Sequence, residues 1–556
     1  MVVLRPQSDF GHAPPPQTPY SIVTNLPGWG MLQAFRDGDM SPMAKVVHVY
    51  PRFGPTQFAA KLGQEVAKRV GHEGKSCMVY LNPVMWPFTA GHVQNKAREE
   101  AAIDPEKLTF KCVDVGGHRL YAVLFEPAHT KALLLSWGAP GLGLSIRMAE
   151  HLLNDIDNLV EVPFDDWKNP PKPTYTPVGP AHQLLRERIN YFVHRAAIDA
   201  ELVKSKPDDV LLFPTGMAAI FCTTNLLQEY RPGTNVALGV IFHNTHHHLH
   251  EESPHGFKHL GMVDEQGLDE MEVWLDGEAK EGRKVSFVIV EFPGNPTTLS
   301  ADLSRLKKLS EKHGFVLIVD DTLAGFANVD VLASSDILLT SLTKSFNGRA
   351  DVLGGSIVLN PLSPHYNELS SRFAKSFNNE LFAADAEVIL LNSHDYLERT
   401  RRLNRNAEAM ATFLHRTIGR DDSPVARVQY PSLLPDKSIY DRYLRRSTTE
   451  LPNPGYGCLL NVEFESVAAA QAFYDRCGFY SSPHLGGHVT IMLAYNMMMY
   501  GKKKEEKEEF RKYGAIEESI RLSAGLEDVE DLIDTLKDAL DAATEAHKKA
   551  APNGTQ

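Results

Sequence analysis

The stretch "DILLTSLTKSFNGRADVLGG", residues 336–355, places a lysine directly after a short apolar run. The run predicts a buried strand, and the Asn347-Gly348 turn signal predicts that the chain reverses soon afterwards. Lys344 therefore falls at a strand end, preceded by the hydroxyl residues Ser341 and Thr343. Loss of hydration at such a place makes a lysine amine a better nucleophile. The alternative is an ordinary loop lysine with a solvated side chain.

Two upstream stretches also end apolar runs in polar groups. "FVLIVDDTLAGF", residues 315–326, reaches Asp320 at the end of its strand-like run. "DVLLFPTGMAAIFCTTNLL", residues 209–227, passes from a strand through Thr215-Gly216-Met217 into an alanine-rich helix start. Glycine permits a tight turn there, and unpaired backbone N–H groups at a helix start bind phosphate. An anion cradle, a carboxylate and an amine at strand ends are what a pyridoxal phosphate enzyme needs.

The ordered set of motifs resembles a known family. The motifs are "VEFPGNPTTL", "VDDTLAG", "SLTKSFNGRADVLGGSIV" and "SIRLSAGLEDVEDLIDTLKDAL". They resemble the transsulfuration (Cys/Met metabolism) branch of pyridoxal phosphate enzymes, and within it the fungal cystathionine γ-synthases. "GHAPPPQTPYSIVTNLPGW" and "VYPRFG" are similar to the extension that those fungal proteins carry. The resemblance implies pyridoxal 5'-phosphate as cofactor. It also implies a fold type I, aspartate aminotransferase-like α/β fold with a mostly parallel, doubly wound sheet.

The resemblance also implies roles for individual residues. Lys344 would hold the cofactor covalently and act as the base, while Asp320 would keep the pyridine nitrogen protonated. Asn295 would bond to the cofactor's phenolic oxygen and, with Arg521, to the substrate carboxylate. The phosphate would be held by Thr215, Gly216, Met217, Ser341 and Thr343. A turn residue before proline and a structural ion pair are the alternatives for Asn295 and Arg521.

Three positions depart from the family pattern. Phe242 stands at the end of a predicted strand where the family usually has a tyrosine that stacks on the cofactor and relays protons. Phenylalanine can stack but cannot relay a proton, so either His243 takes over or Lys344 does all the acid–base work. An ordinary core phenylalanine is the alternative. In "PHLGGHVT", His484 and Thr490 stand at the two serines of the family's "SLGGVES" loop. We expect both to contact substrate, with His484 affecting the choice of nucleophile.

An arginine that reaches the phosphate in a neighbouring subunit is expected from the family. Its signature, tyrosine-x-arginine, stands about 27 residues before the phosphate turn, and counting back from Thr215 gives Arg188. Arg195 competes for this role, and a plain amphipathic helix is the alternative. The resemblance therefore predicts a homo-oligomer, dimer or tetramer, with the site shared between subunits.

Composition fits an enzyme with a small amino-acid substrate. The chain has 556 residues and a net charge of −13, which argues against nucleic acid or an anionic membrane as the main partner. Its five cysteines are scattered without a CxxC pair, as in reduced, cytoplasmic proteins. No apolar run is long enough for a membrane helix, and the N-terminus lacks the apolar region of a signal peptide.

The chain divides into three predicted units: residues 1–170, an N-terminal arm with an accessory α/β domain; 181–360, the large cofactor-binding domain; and 361–556, a smaller α/β domain. The strands predicted for the large unit are "DVLLF", "NVALGVIF", "SFVIVE", "FVLIVD", "DILLT" and "GSIVL". "CMVYLN", "LTFKCVDV", "RLYAVLF" and "ALLLSW" are predicted strands of the first unit.

The histidine run 246–250 suggests a metal site, because His246 and His250 have the spacing of a zinc pair on a helix. However, the run lacks an HExxH pattern. Histidines on a solvated loop or at the rim of the cofactor site are the better interpretation, and no metal is predicted.

These observations favour pyridoxal phosphate-dependent γ-replacement on an O-activated homoserine, by resemblance O-acetylhomoserine, with cysteine as the default nucleophile. The first alternative is a carbon or nitrogen nucleophile, for example a β-keto acid, in fungal secondary metabolism. A sulfide-using homoserine sulfhydrylase is another. A cofactor-binding scaffold and a zinc hydrolase are the alternatives from other classes.

Overall fold

Three β-sheets organise the part of the chain that the computed structural model describes, residues 2–95 and 102–550. The first sheet is antiparallel throughout, in the order β1-β3-β2-β4. Its strands are β1 Ser76–Tyr80, β2 Thr109–Val115, β3 His118–Phe125 and β4 Val160–Val162. The helices of this part are α1 Trp29–Arg36, α2 Gln57–Arg69, α3 Met85–Val93, α4 Thr130–Gly138 and α5 Ile146–Leu153.

The predicted strand "ALLLSW" is wrong, because these residues lie within α4. Alanine and leucine are strong helix formers, and the segment contains no β-branched residue that would favour a strand. Leu135 in this helix is 46% exposed, so the apolar run "ALLLSW" is not buried on all sides.

The second sheet has seven strands in the order β5-β11-β10-β9-β8-β6-β7. All neighbouring pairs are parallel except those of β11, which is antiparallel to both β5 and β10. The strands are β5 Val210–Phe213, β6 Thr234–Leu238, β7 Phe257–Leu260, β8 Val285–Glu291, β9 Val316–Asp320, β10 Ile337–Thr340 and β11 Gly355–Leu359. The helices are α6 Pro180–His194, α7 Gly216–Tyr230, α8 His243–Glu251, α9 Glu265–Lys280, α10 Leu303–His313 and α11 Gly325–Asn328.

Buried apolar residues cover both faces of this sheet, which confirms the predicted α/β, mostly parallel fold. The predicted strand "NVALGVIF" is too long. It ends at Leu238, because Gly239 turns the chain with a φ of 80°. Phe242 therefore caps helix α8 and does not end a strand. Strand β7 was missed because its four residues are all only partly buried.

The third sheet has five strands in the order β12-β13-β16-β15-β14, with only the β14 and β15 pair parallel. Its strands are β12 Val425–Gln429, β13 Leu459–Phe464, β14 Tyr480–Ser481, β15 Ile491–Leu493 and β16 Ser519–Ser523. The helices from residue 366 onward are α12 Tyr366–Ser376, α13 Ala383–Asn392, α14 Tyr396–His415, α15 Lys437–Asp441, α16 Val467–Arg476, α17 Tyr495–Tyr500, α18 Lys504–Lys512 and α19 Val529–Ala550.

The N-terminal arm packs on strand β14 of this third sheet and on the neighbouring helices α16 and α19. The backbone N–H of Leu4 donates to Thr535 Oγ1 at 2.9 Å. That of Leu26 donates to Ser481 O at 2.8 Å, and that of Trp29 donates to Asp475 Oδ1 at 2.7 Å. These bonds guide the chain toward the edge of the large sheet, where residues 50–52 line a cleft. Among the described residues, no helix combines the length and apolarity needed to cross a membrane.

Candidate active site

The cleft is built at the carboxyl ends of the parallel strands, where ligands of such sheets bind. It contains about 800 Å³ of empty space. Of the residues predicted from sequence, those that line it are Thr215, Gly216, Met217, Phe242, Asn295, Asp320, Ser341, Thr343, Lys344 and Arg521. The structure thus brings together the predicted amine, carboxylate, phosphate turn and guanidinium from segments spread over 300 positions of sequence.

Lys344 lies in the turn after β10, and its ammonium contacts two protic side chains. Nζ donates to Tyr50 Oη at 3.0 Å and lies 3.5 Å from His484 Nδ1. Tyr50 is 6% exposed. Burial alone raises the pKa of Tyr50, but the positive charges of Lys344, Arg52 and Arg521 together lower it below its ordinary value. A phenol so placed can exchange a proton with the lysine.

The phosphate turn has the predicted form. Thr215 caps helix α7, and its Oγ1 accepts from Ala218 N at 2.9 Å. Gly216 is required there, because a Cβ would lie 2.8 Å from the Cβ of Ser341. Backbone N–H groups at the start of this helix, with the hydroxyls of Ser341 and Thr343 in the same cleft, suit an anion.

Arg52 supplies the positive charge at this end of the cleft. Its Nη1 donates to Gly138 O at 2.8 Å, and a Cβ on Gly141 would meet both Arg52 Nη1, at 2.8 Å, and Thr215 Oγ1. The guanidinium therefore lies beside the phosphate turn. Burial lowers the pKa of Arg52 to about 10, which still leaves it charged at neutral pH.

Two buried carboxyl groups lie side by side in the wall of the cleft. Asp320 and Glu291 are cross-strand neighbours on β9 and β8. Asp320 accepts from Thr322 N at 2.9 Å, and Glu291 accepts from Phe242 N at 2.6 Å and Asn295 N at 3.0 Å. Burial raises the pKa of Asp320 to about 6 and, with the charge of Asp320, raises that of Glu291 well above its usual range. A cationic ring nitrogen would suit this pair, since it offsets the buried negative charge.

Arg521 is a buried cation that also lines the cleft. It is 3% exposed, donates to Asn295 Oδ1 at 3.1 Å and Pro483 O at 2.7 Å, and lies 4.3 Å from the centre of the Tyr495 ring. Within the described residues it has no carboxylate within 4.0 Å, so the structural ion pair considered as an alternative is absent there. An unpaired buried guanidinium suits a ligand carboxylate.

Three other predicted site residues do not line the cleft. His243 packs its ring against His247 at 4.3 Å and Tyr500 at 6.0 Å, away from Lys344. Burial, more than any other cause, lowers the pKa of His243 to about 3. His484 is fully buried, and its Nε2 has no hydrogen-bond partner among the residues that the structure describes. Thr490 Oγ1 donates to Glu527 Oε2 at 2.8 Å, which holds the loop in place.

Arg188 also lies outside this cleft. Its Nη2 donates to Ser393 O at 2.6 Å, and its guanidinium lies 5.4 Å from the Phe192 ring centre. Its predicted contact with a neighbouring subunit stays a prediction. Sequence reasoning missed Tyr50 and Arg52, although "VYPRFG" contains a tyrosine-x-arginine pattern. This pattern does not stand about 27 residues before Thr215, as the family spacing requires, because the accessory domain lies between Arg52 and Thr215.

The histidine run does not lie on a solvated loop, which was one of the two settings predicted for it, the other being the rim of the cofactor site. It lies on helix α8, where His248 is buried and its Nε2 is 3.1 Å from Thr224 Oγ1. A long helical run of histidines was not expected, because histidine is only a moderate helix former. Among the described residues, the group whose atoms lie close enough to share a metal ion is His92, Glu251 and Glu252, which does not include His246 and His250, the pair considered from the sequence.

The donor set fits pyridoxal phosphate: a helix start with Arg52 for the phosphate, Phe242 as a flat wall for the ring, Asp320 for the ring nitrogen and Lys344 for the aldehyde. Solved structures with this fold include cystathionine γ-synthase from Xanthomonas oryzae, with a TM-score of 0.53 and 23% identity over 69% of this chain and 92% of that one. The fold is that of a fold type I pyridoxal phosphate enzyme.

Residues 196–541 match the model of the Cys/Met metabolism PLP-dependent enzymes, and the chain belongs to that family. A cystathionine gamma-synthase-like enzyme of Amanita muscaria, iboG2, is 30% identical over 96% of both chains. Alanine racemase ungC of Aspergillus violaceofuscus is 29% identical over 97% of both. Cystathionine gamma-synthase of Neurospora crassa is 32% identical over 61% of this chain and 53% of its own. The protein is thus a cystathionine γ-synthase-like enzyme with pyridoxal phosphate as cofactor.

Proposed function

We propose that this enzyme catalyses γ-replacement on an O-activated homoserine, O-acetyl-L-homoserine, with cysteine as the first candidate acceptor. The observation that carries the proposal is the unpaired, buried guanidinium of Arg521 in the same cleft as Lys344. A free α-amino acid offers a carboxylate to Arg521 and an amine near Lys344. The substrate class is therefore a small amino acid.

Pyridoxal phosphate, when bound, supplies the electron sink that makes protons at Cα and Cβ acidic. The residues of this chain do the rest. Arg521 and Asn295 would fix the carboxylate, and with it the orientation of the Cα–H bond toward Lys344. Lys344 would remove the proton at Cα and then one at Cβ, after which the γ-acyloxy group leaves. Because Phe242 has no hydroxyl, Tyr50 is the group that can take over the proton held at Nζ.

A second candidate is γ-replacement with a carbon or nitrogen nucleophile. The extent of the sequence similarity favours this candidate. The relatives named cystathionine gamma-synthase-like match nearly the full chain, whereas the Neurospora enzyme matches only 61% of it. The buried His484 beside Lys344 supports the same candidate, because the family pattern has a serine there. Use of sulfide remains a third candidate.

We further propose a cytoplasmic homo-oligomer of at least two chains. The scattered cysteines fit a reducing compartment. We propose separately that each site is shared between subunits. Tyr50 and Arg52 are not the shared residues in this proposal, because they line the cleft of their own chain.

Mass spectrometry of the products tests the proposal. The holoenzyme is incubated with O-acetyl-L-homoserine and, separately, cysteine, sulfide and a small β-keto acid. Lys344→Ala serves as the inactive control. Cystathionine as the fastest product supports the first candidate, and a faster carbon–carbon product supports the second. Conversion of L-alanine to D-alanine without any γ-replacement would refute both.

A further inference from the structure

A second cavity lies behind helix α7, between the accessory domain and the large sheet. It contains about 1170 Å³ of empty space, more than the catalytic cleft, and the two share no lining residue. Its walls come from the loop after β1, the segment before α6, helix α7 and the chain around the end of α12. Part of this wall belongs to the accessory domain, which contributes no lining residue to the catalytic cleft.

Polar groups converge on one side of this cavity. Glu380 is 9% exposed, and Asn82 Nδ2 donates to its Oε1 at 2.7 Å. Burial raises the pKa of Glu380 to about 7. Tyr175 and Cys222 lie close enough that the charge of Glu380 adds to burial in raising the pKa of each. A buried carboxyl group with one donor among the described residues retains room for a cation.

The rest of the cavity is aromatic, with a positive charge at its mouth. Phe213 and Phe377 pack edge to face at 5.4 Å, and Phe221 and Phe373 also line the wall. Aromatic faces attract an ammonium as well as apolar groups. At the mouth, Lys375 is exposed and forms no ion pair within the described residues, and the carboxylate of Glu229 is also exposed there. Arg372 is already bonded to Glu368 at 2.7 Å.

We propose that this cavity is a binding site for a free L-amino acid with an apolar side chain, distinct from the catalytic cleft. The ammonium would pair with Glu380, the side chain would lie among the phenylalanines, and the carboxylate would reach Lys375. This arrangement satisfies each of the three chemical features of the cavity with one small molecule.

The position of the cavity gives the ligand a route to the catalytic site. Phe213 and Pro214 line the cavity, and the next residue is Thr215 of the phosphate turn. Helix α7 also presents Phe221 and Cys222 to this cavity and its own first turn to the cleft. A ligand that fixes this segment would change how firmly the cofactor phosphate is held. This regulatory step rests on the proposed function, whereas the binding itself does not.

Calorimetry with N,N-dimethyl-L-phenylalanine tests the site in the holoenzyme, because a tertiary amine cannot form a covalent link with the cofactor aldehyde. We expect one site per chain and, below pH 7, release of a proton as Glu380 becomes charged. Glu380→Gln should weaken binding by about tenfold or more, while the exposed Glu387→Gln should leave it unchanged. Lack of binding at millimolar ligand, or equal binding by Glu380→Gln, would overturn the proposal.

The substitution Lys375→Ala tests the proposed contact between the ligand carboxylate and Lys375 at the mouth of the cavity. Lys375 is exposed, so its replacement does not put folding at risk. It should weaken binding of N,N-dimethyl-L-phenylalanine but not of N,N-dimethyl-2-phenylethylamine, which lacks the carboxylate. Equal loss for both ligands, or for neither, would refute the assigned orientation. Turnover of O-acetyl-L-homoserine is measured in the same preparations. Binding without turnover counts against the proposed function alone, and turnover without binding counts against this inference alone.

Discussion

Tyr50 Oη lies 3.0 Å from Lys344 Nζ, although 294 positions of sequence separate the two residues. The N-terminal arm thus supplies a phenol to the amine that the large domain presents. Phe242 cannot provide a hydroxyl, so we expect Tyr50→Phe to reduce kcat by about 100-fold, the usual contribution of an acid–base group. Steady-state kinetics with O-acetyl-L-homoserine measures this. The exposed Tyr191→Phe is the matched control, and equal rates for both variants would exclude the proton role of Tyr50.

Replacing Asp320 with asparagine should leave the fold intact and lower kcat by about 100-fold or more, because a fixed charge under the reacting group is lost. The cofactor content of the purified variant and its kcat are the measurements. Asp321→Asn is the control, since Asp321 is equally buried but bonds to Thr340 and does not line the cleft. If the two variants lose activity equally, the role of Asp320 would be structural.

The stability of the enzyme should depend on pH through Asp321. Burial raises the pKa of Asp321 from 3.8 to about 7. A carboxyl group with a raised pKa stabilises the fold fully below its unfolded pKa, and this stabilisation is lost as pH rises through the folded pKa. Between about pH 4 and 7, we expect this group to lower the free energy of unfolding by about 1.4 kcal/mol per pH unit. Urea unfolding at a series of pH values measures the slope.

Asp321→Asn should remove this part of the slope, because the amide does not titrate and can still accept from Thr340. Asp165→Asn, at an exposed position, should leave the slope unchanged. A slope in Asp321→Asn as steep as that of the wild type would contradict the assignment.

The origin of Tyr50 and Arg52 can be tested by mixing inactive chains. Both residues line the cleft of their own chain, so coexpressed Arg52→Ala and Lys344→Ala chains should form oligomers no more active than either parent. Regained activity in the mixed oligomers would mean that the arm crosses to a neighbouring subunit and supplies there the role that the sequence resemblance assigned to Arg188. Activity per purified mixed oligomer is the measurement.

We expect His484 to affect catalysis through its contact with Lys344 and not through direct contact with substrate. Its Nδ1 is 3.5 Å from Nζ, and burial, more than the nearby charges, lowers the pKa of His484 well below its usual value, so the ring is neutral. We expect His484→Gln to change the pH profile of kcat while KM for O-acetyl-L-homoserine stays the same. His488→Gln, in the same loop but bonded to Pro15 O, is the control. A change in KM alone would indicate a substrate contact instead.

Local sequence patterns were sufficient for the cofactor side of the cleft. Asp320 ends a buried strand, Lys344 follows one and Thr215 precedes a helix, so each position follows from a few neighbouring residues. Parallel strands then bring their carboxyl ends to one edge. The same kind of reasoning gave a wrong strand for "ALLLSW", because the periodicity of a short apolar run does not distinguish a buried strand from a helix.

The sequence by itself therefore determined the fold class, the family and the residues at the strand ends, since these depend on short-range periodicity and on motifs. Only the tertiary structure decided which distant groups complete the cleft. Tyr50 and Arg52 come from an arm ahead of the accessory domain, and His484 approaches Lys344 from the loop after β14 without lining the cleft. Their positions depend on how separate sheets pack, and no local pattern specifies that packing.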